Sequence, residues 1–214
     1  MNSRHGEGSE PQASPLTTGS PAATRPTRLV VGMSGSSAPQ LGIELLRALR
    51  HRSDVETHLV MSDGARRSIK LEADIDPEDV EALADVTYDT HNLAASISSG
   101  SFLTAGMVVI PCSMRSLAAI ATGNSQDLLC RAADVTLKER RRLVLVTRET
   151  PLNLIHIRNM ETVTLAGATV FPPVLAFYHR PQSIQDLLAH IVGKVLDQFA
   201  IPHDLFHRWG AEVE

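Results

Sequence analysis

Arg148 and Glu149 stand directly behind an apolar run, LVLVT at 143–147, and are followed by Thr150 and Pro151. A guanidinium can hold a phosphate and a carboxylate can carry a proton. The pair therefore suits a phosphorylated substrate whose reaction also moves a proton. Three other apolar runs empty into small or hydroxyl-bearing residues. RLVVGM leads to Gly35-Ser36-Ser37-Ala38-Pro39, VETHLVM leads to Ser62, and GMVVIPC leads to Ser113-Met114-Arg115-Ser116. Small residues at such turns let backbone N–H groups approach an anion or a ring, and a helix N-terminus behind them adds a favourable field. Gly35-Ser36-Ser37 is not the GxGxxG of a dinucleotide fingerprint. Taken singly, each turn also fits a serine-capped tight turn, and Glu72 fits a solvated helix end. Cys112 fits a buried small hydrophobe, because no partner histidine is evident.

The elements that must position these residues follow a simple alternation. Apolar strands are expected at RLVVGM, VETHLVMS, GMVVIPCS, RLVLVT and TVFPP. Between them lie helical stretches: Pro39 to Arg50, GARRSIKLE, PEDVEALADV with Pro77 in its first turn, SLAAIATG closed by Gly123, and DLLCRAADVTLKERR opening on Asp127. LIHIRNMETVTLAGA and a last amphipathic helix from Ser183 complete the set. The spacing of apolar residues and the cap types set these assignments. Apolar strands alternating with helices predict an α/β fold, a single doubly wound, flavodoxin-like domain whose parallel sheet is covered on both faces. Ligands bind such sheets beyond the carboxyl ends of the strands, where all four turns lie. Residues 87–106 read as a polar loop of functional length.

Length and composition bound the function. The 214 residues suit one domain with a tail. Lys and Arg total 20 against 24 Asp and Glu, so a net charge of −4 gives no support to nucleic-acid binding. No apolar run is long enough for a membrane span, and two cysteines form no disulfide framework, which fits a reducing cytoplasm. Residues 1–27 are rich in Ser, Gly, Pro and Thr and are expected to be a disordered tail before a domain at 28–210. His203 and His207 have i,i+4 spacing without a third ligand, so no metal site is assigned. His156 reads as a core histidine, and Arg140-Arg141-Arg142 as a solvated helix end.

Taken together, the turns resemble the UbiX-type flavin prenyltransferases over residues 28–210. PCSMRSLAAIATG at 111–123 and RAADVTLKERRRLVLVTRETPL at 131–152 carry most of the likeness. HIRNM at 156–160, FYHRPQS at 177–183 and IPHDLFHRWG at 201–210 add to it. The resemblance implies a flavodoxin-like homododecamer with active sites between subunits. It implies transfer of a dimethylallyl group from dimethylallyl phosphate to N5 and C6 of reduced FMN, without a metal. The product, prenylated FMN, would serve a UbiD-type decarboxylase. Carried over by position, Gly35, Ser36, Ser37, Ser62, Ser113, Met114, Arg115, Ser116 and Arg148 would contact the flavin. Ser37, Glu72 and Glu149 would be catalytic, with Glu72 near the edge where the new ring closes. Arg131, Lys138, Tyr178 and Lys194 would grip the prenyl phosphate.

Three departures from the family pattern stand out. The first turn in many members is G-A-S-G-A, but here it is Gly35-Ser36-Ser37-Ala38-Pro39. Lys194 replaces an arginine of some members, keeping the charge but losing the bidentate fork. Leu93 lies where some members have a tryptophan. Two other readings stay open on sequence alone: an FMN-dependent cysteine decarboxylase of related fold, and a flavin carrier without catalytic function.

Overall fold

The computed structural model describes residues 26–210. Most of the predicted tail, 1–25, lies outside the described residues. Strand β1 (Thr27–Met33) is followed by helix α1 (Gln40–Leu49), β2 (Val55–Met61), α2 (Asp63–Glu72) and α3 (Pro77–Glu81). Then come β3 (Val86–Tyr88), a 3-10 turn at Ser96–Ser98, β4 (Gly106–Cys112), α4 (Met114–Ala121) and α5 (Leu128–Lys138). The chain ends with β5 (Arg142–Thr147), α6 (Leu154–Leu165), β6 (Thr169–Val170) and α7 (Ile184–Gln198).

All pairings are parallel, in the order β3-β2-β1-β4-β5-β6. Without β3 this is the flavodoxin-like order predicted from the sequence. The helix expected over PEDVEALADV stops at Glu81, and β3 instead joins its last residue, Val86, to the start of the expected loop 87–106; the pairing His58↔Val86 to Val60↔Tyr88 creates this edge strand beyond β2. The chain reverses direction across the sheet between β1 and β4, where such sheets open a crevice.

Alternation along the strands divides the core in two. Leu29, Val31 and Met33 of β1, with Val144 and Val146 of β5, pack on one face with Leu45 and Leu46 of α1 and Val192 and Val195 of α7. Val30, with Leu143 and Leu145, packs on the other with Leu117 of α4 and Leu129 and Ala133 of α5. Two buried faces explain why the strands read as unbroken apolar runs.

Capping fixes where helices begin. Ser62, Ser113 and Asp127 accept from the N–H groups of Ala65, Ser116 and Cys130 at 3.1, 3.2 and 2.8 Å. Ser183 and Asp186 form a capping box on α7. His156 is not a core histidine: it forms the capping box of α6 with Asn153, whose side chain takes the His156 N–H at 2.9 Å. The three arginines 140–142 are not one solvated helix end either. Arg141 donates to the carbonyls of Phe102 and Gly100 at 2.7 and 2.6 Å, and Arg142 opens β5.

Candidate active site

The predicted turns meet at the carboxyl edge of the sheet. Ser34, which the sequence reading passed over, is the pin between them. Its hydroxyl is buried, donates to the Pro111 carbonyl at 3.0 Å and accepts the Ser113 N–H at 2.7 Å. The ends of β1 and β4 are thereby fixed at the crevice. Gly35 lies against α2, where a Cβ would stand 2.8 Å from the Gly64 Cα, so only glycine allows this approach. Ser36 reaches over β4 and donates to the Arg148 carbonyl at 3.0 Å. Ser37 donates to Glu72 Oε2 at 2.7 Å, and the Ala38 N–H donates to the same oxygen at 3.0 Å. Two residues 35 positions apart in the sequence thus form one unit at the rim.

Ala38 explains the departure in the first turn. Its φ is 67°, in the left-handed region that favours glycine. An alanine occupies that conformation here, and its N–H is used on Glu72. The turn is kept, with strain at one residue.

Beside this rim a cleft of about 320 Å³ is lined by Gly35, Ser62, Gly64, Thr90, Ser113, Arg115, Ser116 and Asp127 among others. The N-termini of α2, α4 and α5 all open onto it, because their caps Ser62, Ser113 and Asp127 line it. Their combined field attracts an anion. Thr90 lines the cleft, and among the described residues its buried Oγ1 has no hydrogen-bond partner. Hydroxyls, three helix starts, one arginine and a glycine approach fit a mononucleotide phosphate and its ring. Met114, between Ser113 and Arg115, does not line this cleft; its side chain packs against the core beneath. Cys112 and Cys130 are buried thiols without a disulfide. Burial pushes the Cys112 pKa up, and burial with the neighbouring Asp127 carboxylate pushes that of Cys130 up to about 12, so neither is a nucleophile.

The second predicted group is not gathered. Arg148 is exposed beyond β5, its N–H bound to the Cys112 carbonyl at 3.3 Å. Its guanidinium has no ion-pair or hydrogen-bond partner among the described residues. Glu149 is exposed and its Oε1 accepts the Thr150 N–H at 3.0 Å. Arg131 spends its guanidinium on Asp134 at 2.7 Å and the Ser98 carbonyl at 3.2 Å. Lys138 closes α5 at the far, amino edge of the sheet, ion-paired to Glu139 beside Gly100. An 11-residue helix puts it roughly 15 Å from the cleft of its own chain.

Tyr178 and Lys194 form a third cluster along α7. The Tyr178 hydroxyl lies 2.9 Å from His190 Nε2, and Lys194 follows one turn later, 3.5 Å from Asp197. Asp197 also binds Arg208 at 2.7 Å and His203 at 3.1 Å. The Arg208 hydrogen bond is the main reason its carboxyl is held down at about 2. His203, weighed as a metal ligand, is instead a carboxylate partner. Trp209 meets the Tyr178 ring edge-on with centroids 5.7 Å apart. Among the described residues, no hydrogen bond or ion pair joins this cluster to Arg148, Glu149, Ser37 or Glu72.

Comparison with known proteins agrees with this geometry. The flavoprotein family model matches residues 18–196. The flavin prenyltransferase UbiX of Escherichia coli K12 is 56% identical over 184 residues, covering 85% of this chain and 97% of its own. A crystal structure of a UbiX protein in complex with FMN and dimethylallyl pyrophosphate is 54% identical with a TM-score of 0.85, covering 87% of this chain and 98% of its own. A dodecameric FMN-dependent UbiX-like decarboxylase from Escherichia coli O157:H7 is 50% identical with a TM-score of 0.84, covering 86% and 99%. An FMN-dependent cysteine decarboxylase, at 20% identity and a TM-score of 0.55, shares the fold alone. The chain belongs to the flavoprotein family and, within it, to the UbiX-type flavin prenyltransferases.

Proposed function

We propose that this protein joins the dimethylallyl group of dimethylallyl phosphate to N5 and C6 of reduced FMN and releases prenylated FMN for a UbiD-type decarboxylase. The observation that carries the reading is the Ser37–Glu72 contact at 2.7 Å, made from the same turn after β1 whose Gly35 lines the cleft. A carrier needs the cleft but has no use for a carboxylate held by a hydroxyl and a backbone N–H on that turn.

Reduced FMN supplies the nucleophilic ring when bound. The chain's residues do the rest. Gly35, Ser62, Ser113, Arg115 and Ser116 hold and orient the mononucleotide. Arg148, with an unpaired guanidinium at the rim, neutralises charge as the phosphate departs. Glu149 carries a proton to that phosphate, and its bond to the Thr150 N–H holds it at the turn. Ser37 fixes Glu72, which takes the proton lost from the ring edge. Arg131, Lys138, Tyr178 and Lys194 grip the prenyl phosphate.

Lys138 lies at the wrong edge of its own chain for that task, which supports a site completed by a neighbouring subunit. Exposed apolar side chains supply the surface for assembly: Leu154, Ile155 and Ile157 on α6, and Val174 and Phe177 after β6. We infer a homododecamer, as in the structural neighbour named above. Among the described residues no helix is long and apolar enough to cross a membrane. Two reduced, buried cysteines support a cytoplasmic location. The full chain, incubated anaerobically with reduced FMN and dimethylallyl phosphate, should yield a flavin heavier by one prenyl unit in mass spectrometry. Unmodified FMN with both the monophosphate and the pyrophosphate donor would refute the reading.

A further inference from the structure

His190 has no place in the proposed reaction, yet it is buried on α7 with a specific partner. Its Nε2 lies 2.9 Å from the Tyr178 hydroxyl. Its Nδ1 is buried and, among the described residues, has no hydrogen-bond partner. His179 stacks on the ring with centroids 4.8 Å apart and planes 7° from parallel, and Phe206 closes the other side at 4.6 Å. The imidazole is therefore held in one orientation by packing, and among the described residues its only hydrogen-bond partner is the phenol. We propose that His190 is the positioning residue for Tyr178: its Nε2–H donates to the phenol oxygen and leaves the phenol's own proton for the prenyl phosphate.

The direction of the bond decides the function. If Tyr178 donated to His190, its proton would be spent inside the protein and only lone pairs would face a phosphate. The tautomer protonated on Nε2 avoids burying an Nδ1–H that nothing receives. The charges around the ring agree. Burial, His179 and Lys194 all lower the pKa of His190, against a weaker opposing pull from Asp197. Asp197 is itself tied to Arg208 and His203. His190 is thus neutral at pH 7 and available as a single-proton donor. The inference rests on the reading of Tyr178 as a phosphate ligand.

The test compares His190→Phe, His190→Gln, Tyr178→Phe and the double variant in the full oligomer. FMN affinity and prenylation rate are followed against dimethylallyl phosphate concentration. His190→Phe keeps a ring and removes the donor, so KM for dimethylallyl phosphate should rise about tenfold while kcat and FMN affinity stay within about twofold. His190→Gln retains an N–H donor and should restore most of the loss. Once Tyr178→Phe has removed the hydroxyl, adding His190→Phe should change nothing further. Effects that add in full, or no rescue by glutamine, overturn the proposal. A raised KM in Tyr178→Phe with a normal KM in His190→Phe defeats this inference alone. A normal KM in Tyr178→Phe defeats the phosphate reading of that residue, and the inference with it. If His190→Phe does not assemble, the 15N-histidine difference spectrum of native enzyme against His190→Gln decides. An Nε2-protonated neutral ring supports the proposal and an Nδ1-protonated one overturns it.

Discussion

The carboxyl edge of the sheet and the residues assigned to the prenyl phosphate are built in opposite ways. At the sheet edge, one chain supplies every contact. Ser34 pins β1 to β4, Ser36 ties the first turn to Arg148, and Ser37 holds Glu72. The phosphate set is dispersed: Lys138 sits at the far edge, Arg131 is bound to Asp134 and Ser98, and Tyr178 and Lys194 belong to a separate cluster on α7. The contrast teaches that the flavin half is a property of the fold, and it is why we propose that the substrate half is completed by the assembly.

That division is easiest to break at its carboxylates. Glu149→Gln and Glu72→Gln each keep shape and remove the ionisable group. Either should slow turnover by about 10²–10⁴ while FMN binding, read by flavin fluorescence quenching, is retained. A full-rate Glu149→Gln enzyme would make that carboxylate structural and leave Glu72 as the acid–base group.

Ser34→Ala tests whether the flavin half is locally built. It strips the Ser113 N–H of its acceptor and the Pro111 carbonyl of one of two donors, the Ser34 backbone N–H at 3.1 Å remaining. A loss of about 1–3 kcal/mol in denaturant unfolding is expected, with weaker FMN binding. Unchanged values for both would show that the crevice needs no pin.

Acid should loosen the α7 cluster selectively. The Asp197 carboxyl is depressed by Arg208 and His203 to about 2. Its contribution is complete above the ordinary value near 4 and is lost as pH falls from there towards 2. Trp209 is the chain's single tryptophan and abuts Tyr178, so its fluorescence should report the release over that window. Asp197→Asn should show no such transition. An identical transition in that variant would place the cause elsewhere.

The smallest effect concerns Ala38. Glycine at a φ of 67° removes side-chain strain of about 1–2 kcal/mol but loosens the unfolded chain by up to about 1 kcal/mol. Ala38→Gly should therefore stabilise slightly, by about 0.5 kcal/mol, in thermal or denaturant unfolding. Destabilisation would mean that the Cβ makes a contact of value.

The same contrast governs what the sequence revealed. Four strands were legible because both faces are buried and the runs are unbroken, β6 is only the two half-buried residues that begin TVFPP, and Asp127 and Ser183 marked their helices through local cap chemistry. Strand β3 was not, since three residues show no period and its existence depends on pairing with β2. Ser34 gave no signal either, being one serine among several whose partners lie 77 and 79 positions away. Ser37 and Glu72 were each given a role on resemblance but not joined, because no local pattern links residues across α1 and β2. His156 read as a core histidine, but α6 buries only Val163, so that reading failed with the helix's exposed face.

Subunit complementation tests the central claim most directly. Glu72→Gln and Lys138→Ala chains should each be nearly inactive alone, the first at the flavin edge and the second at the phosphate. When the two are co-expressed and assembled together, a site built from Glu72 of one chain and Lys138 of another becomes intact wherever the right neighbours meet. Random mixing at equal amounts should restore about a quarter of native prenylation activity. Activity no greater than the average of the two separate variants would contradict a site shared between subunits.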